Sequence, residues 1–393
     1  MFRIAIVLLI TVACAMPVHA QIDPFRRDLV EIGYDQPLQG HAPVGAYVFY
    51  YLSRPQFGDA DHALHIALSP VYVEGEWAVR HVFDPDTDVG IGVRGGGFAD
   101  DYDEIRHGQW LREQSFTGHD GGIDASLYHL FNPGQRVPLD GILQAAFRYV
   151  AFERDGRNPP NFTIPKNQPI VRLRAGLRFG GIEPVLAPDM AAELSVWYEG
   201  EARLDAGPYG FDGDRQVQSR LQRFWARGLI VYTLPQSLQR FSVEVTGGAS
   251  EHPDRLGAWR IGGVLPLDTE FALRVPGYYE GEFSARNFLL IGADYSVPLD
   301  RARQWRAGIG AATARIDYTP GLEEPHRWVS GASASIGYAP ASKVWKASLV
   351  YGHGFDAIRH GHRGADTVTL LTEFDLERMG YMRSDATSVR PAD

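Results

Sequence analysis

Between Val171 and Phe179 the chain reads VRLRAGLRF, with Val171, Leu173, Ala175, Leu177 and Phe179 on one set of alternate positions and Arg172, Arg174 and Arg178 on the other. Successive side chains of a strand point to opposite faces, so as a strand this segment has one oily wall and one cationic wall. Repeated around a closed sheet, that pattern makes a barrel whose outside meets lipid and whose inside meets water. A soluble sandwich or lipocalin-like barrel also alternates, but with its apolar residues turned inward. Three arginines on one strand's polar face, with many aromatics at strand ends, argue against that reading.

The alternation recurs through most of the sequence. Strand-like runs occupy 46–53, 63–73, 78–83, 89–98, 123–131, 142–152, 170–179 and 191–204, then 221–234, 241–249, 259–265, 288–297, 305–316, 328–338, 344–355 and 367–376. These are sixteen candidates, and even numbers are the rule for bacterial single-chain barrels. Aromatic residues stand at run ends, among them Tyr47, Tyr149, Trp259, Tyr295, Trp305, Trp328, Tyr338 and Trp345, where rings favour the lipid headgroup level. Short connections at 234–239 and 340–343 suit a periplasmic rim, and the longer polar ones at 100–121, 155–168, 205–218 and 251–257 suit the outer face.

Residues 1–20 read as an export signal: Arg3 supplies the charged start, 4–13 the apolar stretch and Val18-His19-Ala20 the cleavage site. The single cysteine, Cys14, falls inside it, so cleavage there leaves no thiol or disulfide chemistry. Residues 21–42, with Pro24 and Pro37 and no clean period, read as a periplasmic lead-in. The barrel is expected over 43–378 and a polar tail over 379–393. Beyond the signal no run of roughly eighteen apolar residues occurs, which excludes a membrane helix. A net charge of −10 argues against a nucleic-acid partner. Outer-membrane lipid is the expected surround.

The segment from Trp259 to Leu299, WRIGGVLPLDTEFALRVPGYYEGEFSARNFLLIGADYSVPL, resembles the outer-membrane assembly and surface-antigen superfamily of BamA and TamA. Gly262-Gly263 correspond to that family's Gly-Gly step, and Val275-Pro276-Gly277-Tyr278 to a Val-Arg-Gly-aromatic motif on a loop that folds into the lumen. Asp294, Tyr295 and Pro298 correspond to the acidic-aromatic-x-x-Pro ending of the following strand. Four further runs follow, the number the family places there. The resemblance implies an antiparallel all-β transmembrane barrel of about sixteen strands with an inward loop, and a role in passage or insertion of a substrate at the outer membrane. It covers about 120 residues well, and the first half only by strand rhythm.

This sequence departs from the family pattern in three respects. Pro276 replaces the loop arginine, with Arg274 two positions earlier, and its acidic partner is missing from 305–316, where the chain reads Gly308-Ile309-Gly310-Ala311-Ala312. The loop is therefore expected to be held differently, by Arg274, Tyr278 and Tyr279. The family's periplasmic polypeptide-transport domains do not fit into 21–42, so a separate periplasmic partner protein is expected to supply their function. Past the last run a polar tail continues, and Phe374 or Tyr381 has to serve as the terminal aromatic.

Arg148, Arg172, Arg174, Arg178 and Arg227, with Glu193, Glu199, Glu201 and Glu244, are expected to line the lumen, either neutralising each other or setting a field across it. Asp84, Asp86 and Asp88 have calcium-loop spacing but lack the distal glutamate, and read as a solvated turn. His353, His360 and His362 lack any spacing that promises a metal site. Ser126 with His129 and Ser348 with His353 are the nearest nucleophile pairs, at spacings that put their members on opposite or distant wall positions. No catalytic residue, metal or cofactor is therefore expected. A porin-like diffusion channel is the competing reading, and an outer-membrane lipid hydrolase a third.

Overall fold

The computed structural model describes residues 25–43, 45–69, 72–97, 102–154, 156–181, 185–267 and 272–380. The expected export signal and residues 381–393 lie outside these. The wall consists of β1 (Arg27–Pro37), β2 (Gly45–Arg54), β3 (His62–Ser69), β4 (Tyr72–Val79), β5 (Thr87–Gly97), β6 (Thr117–Leu130), β7 (Leu139–Glu153) and β8 (Gln168–Gly181). It continues through β9 (Met190–Arg203), β10 (Arg220–Thr233), β11 (Arg240–Glu251), β12 (Phe283–Pro298), β13 (Trp305–Tyr318), β14 (Trp328–Tyr338), β15 (Trp345–Arg359) and β16 (His362–Asp375). Each strand pairs antiparallel with the next, and β1 pairs with β16 over nine positions, from Leu29–Asp375 to Pro37–Thr367. The sheet thereby closes, which lipid demands, because an open edge would leave amides and carbonyls without partners.

Register separates the two walls cleanly. Outward positions carry apolar side chains with nothing over them: Ile309 is 65% exposed and Leu194 63%, whereas the inward Glu199 is 1% exposed and Thr369 0%. A soluble fold has the reverse arrangement. On the rim that carries both chain ends, Trp305, Tyr338 and Trp345 make a row with ring centroids 4.8 and 5.3 Å apart, and Phe241 meets Tyr295 at 4.8 Å. Tyr47 and Trp259, expected among the rim aromatics, instead face inward and are buried.

The strand count agrees with the sequence reading, but its membership differs at both ends of the argument. Residues 27–37, expected in the lead-in, form β1: Val30, Ile32 and Tyr34 face lipid, and Leu29, Glu31, Gly33 and Asp35 face in. The flanking prolines hid a short run whose inward side is neither uniformly polar nor apolar. Conversely, 259–265 does not span. Only Trp259–Ile261 is extended, pairing with 283–285 at the top of β12, while β11 pairs directly with β12 from Arg240–Ser296 to Ala249–Asn287. Nearer the start, the run at 63–73 takes in all but the first residue of β3, which ends at Ser69, and the start of β4 at Tyr72, while the run at 78–83 holds only the last two residues of β4.

On the rim opposite the chain ends, long connections fold into a dome. Phe162–Thr163 pairs with 210–211, and Pro208–Tyr209 with 215–216, over a core of Tyr102, Phe116, Phe152, Phe162, Tyr209 and Val217. Beside it the fully buried Glu104 accepts from the Tyr102 hydroxyl and pairs with Arg106, Arg255 and, at 3.4 Å, Arg215, so that three connections meet on one carboxylate. Burial alone would raise the Glu104 carboxyl, but Arg215, Arg255 and Arg106 outweigh it and hold it below its ordinary 4.5. A depressed folded value means this contribution is present above the ordinary glutamate range and is lost as pH falls through the lower folded value.

Two outcomes are expected. Ile32→Arg should destabilise the barrel by about 2–4 kcal/mol if it sits near the bilayer midplane, read from denaturant unfolding in vesicles; an unaffected barrel would mean that 27–37 is not in the wall. Glu104→Gln should make 102–116 and 204–219 more protease-sensitive at neutral pH, reproducing what acid does to the wild type.

Candidate functional site: an inward loop locked by a buried ion pair

The connection from β11 to β12 enters the barrel. After Ile261 the chain turns at Gly262 and Gly263, with φ of 136° and 77°, conformations that side-chain-bearing residues rarely adopt. A Cβ at Gly263 would strike the Glu280 carboxylate, whose Oε1 accepts from the amides of Val264 and Leu265 at 2.8 and 3.0 Å. The loop thus holds its own bend. Leu265, Val275, Tyr278 and Tyr279 are essentially fully buried, although they lie on a connection between two membrane strands.

The wall is shaped to receive the loop tip. The inward positions of β13 to β15 carry small residues, including Gly308, Gly310, Gly331, Ser333, Gly352 and Gly354. Pro276 and Gly277 lie directly against Gly331, Gly352 and Gly354, and a Cβ on Gly277 would collide with the His353–Gly354 backbone. The Tyr278 hydroxyl donates to the Ser330 carbonyl and accepts from the Asp356 amide, both at 3.2 Å. Tyr279 donates to the Gln39 carbonyl at 3.2 Å, so the loop bridges from β14 and β15 to the segment after β1.

The strongest tie was not legible in the sequence. Glu282, at the loop's end, is held by Arg359 of β15 through two bonds of 2.8 and 2.7 Å, with both side chains under 4% exposed. The Arg359 guanidinium also lies 3.6 Å from the Tyr279 ring centroid. The carboxylate is on the loop and the guanidinium on the wall, the reverse of the polarity that the resemblance implies. Removing one member of such a pair leaves an uncompensated charge in a dry site, at a cost of about 3–5 kcal/mol. Arg274 does not share this work, being 45% exposed with its nearest carboxylate, Glu244, at 3.9 Å.

The lumen charges lie on inward positions, but they pair along the wall rather than across a bore. Arg172, Arg174 and Arg223 converge on Glu199, which stands opposite Arg174 in register with β8 and opposite Arg223 in register with β10. Glu201 joins Arg203 at 3.1 Å, and Arg203 joins Asp254 of the loop at 2.6 Å. Arg148 pairs with Asp120, Arg178 with Asp140 at 3.7 Å, and Arg227 with Glu244 and Glu193 at 3.0 and 3.9 Å. Apart from Glu201–Arg203 within β9 and Arg203–Asp254 from strand to connection, these are cross-strand pairs, so the arginines and glutamates zip neighbouring strands together instead of forming two opposed walls.

The other candidates stay apart. Asp294 faces the lumen from β12, Tyr295 faces lipid, and Pro298 closes the strand at the rim. Asp84 caps its own turn through the Asp86 amide and Thr87 hydroxyl, both at 2.8 Å. His353 is tied to Asp366 at 2.8 Å on the lipid side, and Ser348 faces inward; Ser126 faces inward while His129 faces out.

No protein-family model and no curated protein matches this sequence. Solved structures do. CdiB from Escherichia coli matches with a TM-score of 0.57 at 12% identity, over 90% of this chain and 64% of that one. CdiB from Acinetobacter baumannii gives 0.56 at 9% identity, over 89% and 60%. A structure of BamA from Haemophilus ducreyi lacking POTRA domains 1–3 gives 0.52 at 10% identity, over 88% and 70%. The barrel fold is that of CdiB and BamA. This BamA-like barrel spans less than two thirds of the length of either CdiB chain.

Glu282→Gln should expose the loop, seen as faster cleavage within 262–282, and the exchange Glu282→Arg with Arg359→Glu should slow it again. If the exchange cleaves no more slowly than Glu282→Gln, the pair is not what holds the loop.

Proposed function

We propose that this protein is an outer-membrane barrel, closed at rest by its inward loop, that opens to pass or insert a substrate. The observation that carries this reading is the Glu282–Arg359 lock: a loop drawn into the lumen and pinned by a bidentate buried pair obstructs free diffusion. The fold shared with CdiB and BamA supports the placement of the barrel in an outer membrane, with lipid around the apolar wall. The chain ends then lie on the periplasmic rim and the dome faces outward, so a substrate, or a periplasmic partner that delivers it, arrives beneath the loop.

A porin-like channel fits less well. Its lumen would be lined by solvated charges, whereas here Glu199 and Glu201 are buried among arginines and the small-residue wall of β13 to β15 is covered by Pro276 and Gly277. Conductance separates the two. In planar bilayers the wild type should show low conductance with rare, brief openings, and Glu282→Gln should raise their frequency about a hundredfold or more, the equivalent of roughly 3 kcal/mol. Large, steady openings of the wild type would establish the channel instead.

A further inference from the structure

The turn between β8 and β9 starts on the rim that carries the chain ends, yet Val185 and Leu186 pack inside the barrel. Val185 packs with Leu29, Tyr51 and Ala67, and Leu186 with Tyr47, Leu265 and Leu371. The Leu186 amide donates to the Glu373 carboxylate, whose other oxygen is held by Lys346 at 2.9 Å. These partners belong to β1, β2, β3, β15 and β16, apart from Leu265 of the inward loop. In a closed sheet of sixteen strands, β8 and β9 stand on the far side from β1 and β16.

The reach is tight. The four residues from Leu186 to Met190, the start of β9, extend at most about 14 Å, whereas a round sixteen-stranded barrel is roughly 30 Å across from strand spacing and tilt. Residues 185–189 therefore extend from β9 across the lumen to meet the inward side chains of β16 and β2. Ala187, directly after the half-buried Leu186, has φ of 57°, a left-handed conformation that an alanine rarely adopts and that persists where surrounding contacts impose it. Two large aliphatic side chains on a rim turn would otherwise sit in water. Leu265 and Leu267 of the inward loop join the same cluster as Leu186, on Tyr47 and Leu371, so loop and turn meet against the wall of β2 and β16.

We propose that this turn is a second closure, a strap across the floor of the barrel in series with the inward loop, with Leu186 as its latch on Glu373, Tyr47 and Leu371. The inference rests on the closed-barrel reading and adds regulation to it: opening requires release of the strap from the periplasmic side as well as release of the loop.

The test compares four full-length proteins in planar bilayers, each checked for folding by heat-modifiable electrophoretic mobility: wild type, Glu282→Gln, the pair Val185→Ser with Leu186→Ser, and all three substitutions together. Serial closures predict that the strap variant stays as closed as the wild type. The combination should carry about tenfold more mean current than Glu282→Gln alone. A combination that conducts no more than Glu282→Gln overturns the strap and leaves the loop reading standing, whereas steady openings of the wild type defeat the loop reading itself. As a second arm, Leu186→Cys with Leu371→Cys in the Glu282→Gln background should lose current on oxidation and regain it on reduction. Current indifferent to redox state overturns the proposal.

Discussion

The pairing of β1 with β16 is the constraint on which everything else depends. Every amide in the lipid-facing wall must find its carbonyl on a neighbouring strand, because hydrocarbon offers no substitute. Once Leu29 to Pro37 is zipped to Asp375 to Thr367, register is set around the whole circuit, and a slip of one residue would turn every arginine of β8 toward lipid. Closure therefore decides at once which side chains meet acyl chains and which must find partners inside.

The interior consequence is a lumen divided by chemistry. From β7 to β11 the inward positions hold long charged side chains that neutralise each other strand to strand, which is how a dense set of ions can be buried without isolated charges. In the middle of β13 to β15 the inward positions are mostly glycine, alanine and serine, leaving a trough one backbone deep. The loop lies in that trough because only there can Pro276 and Gly277 approach the wall. Its Glu282 then needs a cation, and Arg359 at the far end of β15 supplies it. The dome above applies the same logic with Glu104, and the turn at 185–189 applies it below with Glu373, so each end of the barrel is tied by a carboxylate shared among separate segments.

Much of this was readable in advance, and for a definite reason. Alternation is local, so VRLRAGLRF shows its two walls without reference to any other strand, and the inward placement of Arg172, Arg174, Arg178, Glu193 and Glu199 follows from parity alone. β1 is hard to read locally because its inward residues mix Leu29 with Glu31 and Asp35 between prolines, and 259–265 reads as a wall strand because Trp259 to Ile261 does begin as one. The Gly262-Gly263 step marks the departure of the chain from the sheet. Nothing local distinguishes a glycine pair that admits a strand from one that releases it.

The sequence by itself determined the class of solvent on each side of the sheet, the approximate strand number and the position of the inward loop, since all three depend on periodicity and spacing within a few tens of residues. Only the tertiary structure decided that Glu282 meets Arg359, that Leu186 reaches Glu373 across the lumen, and that the arginines are satisfied by their neighbours rather than by an opposite wall. Those pairings join residues 77 and 187 positions apart. Their partners are chosen by strand order and register around a closed circuit, which no stretch of the chain contains.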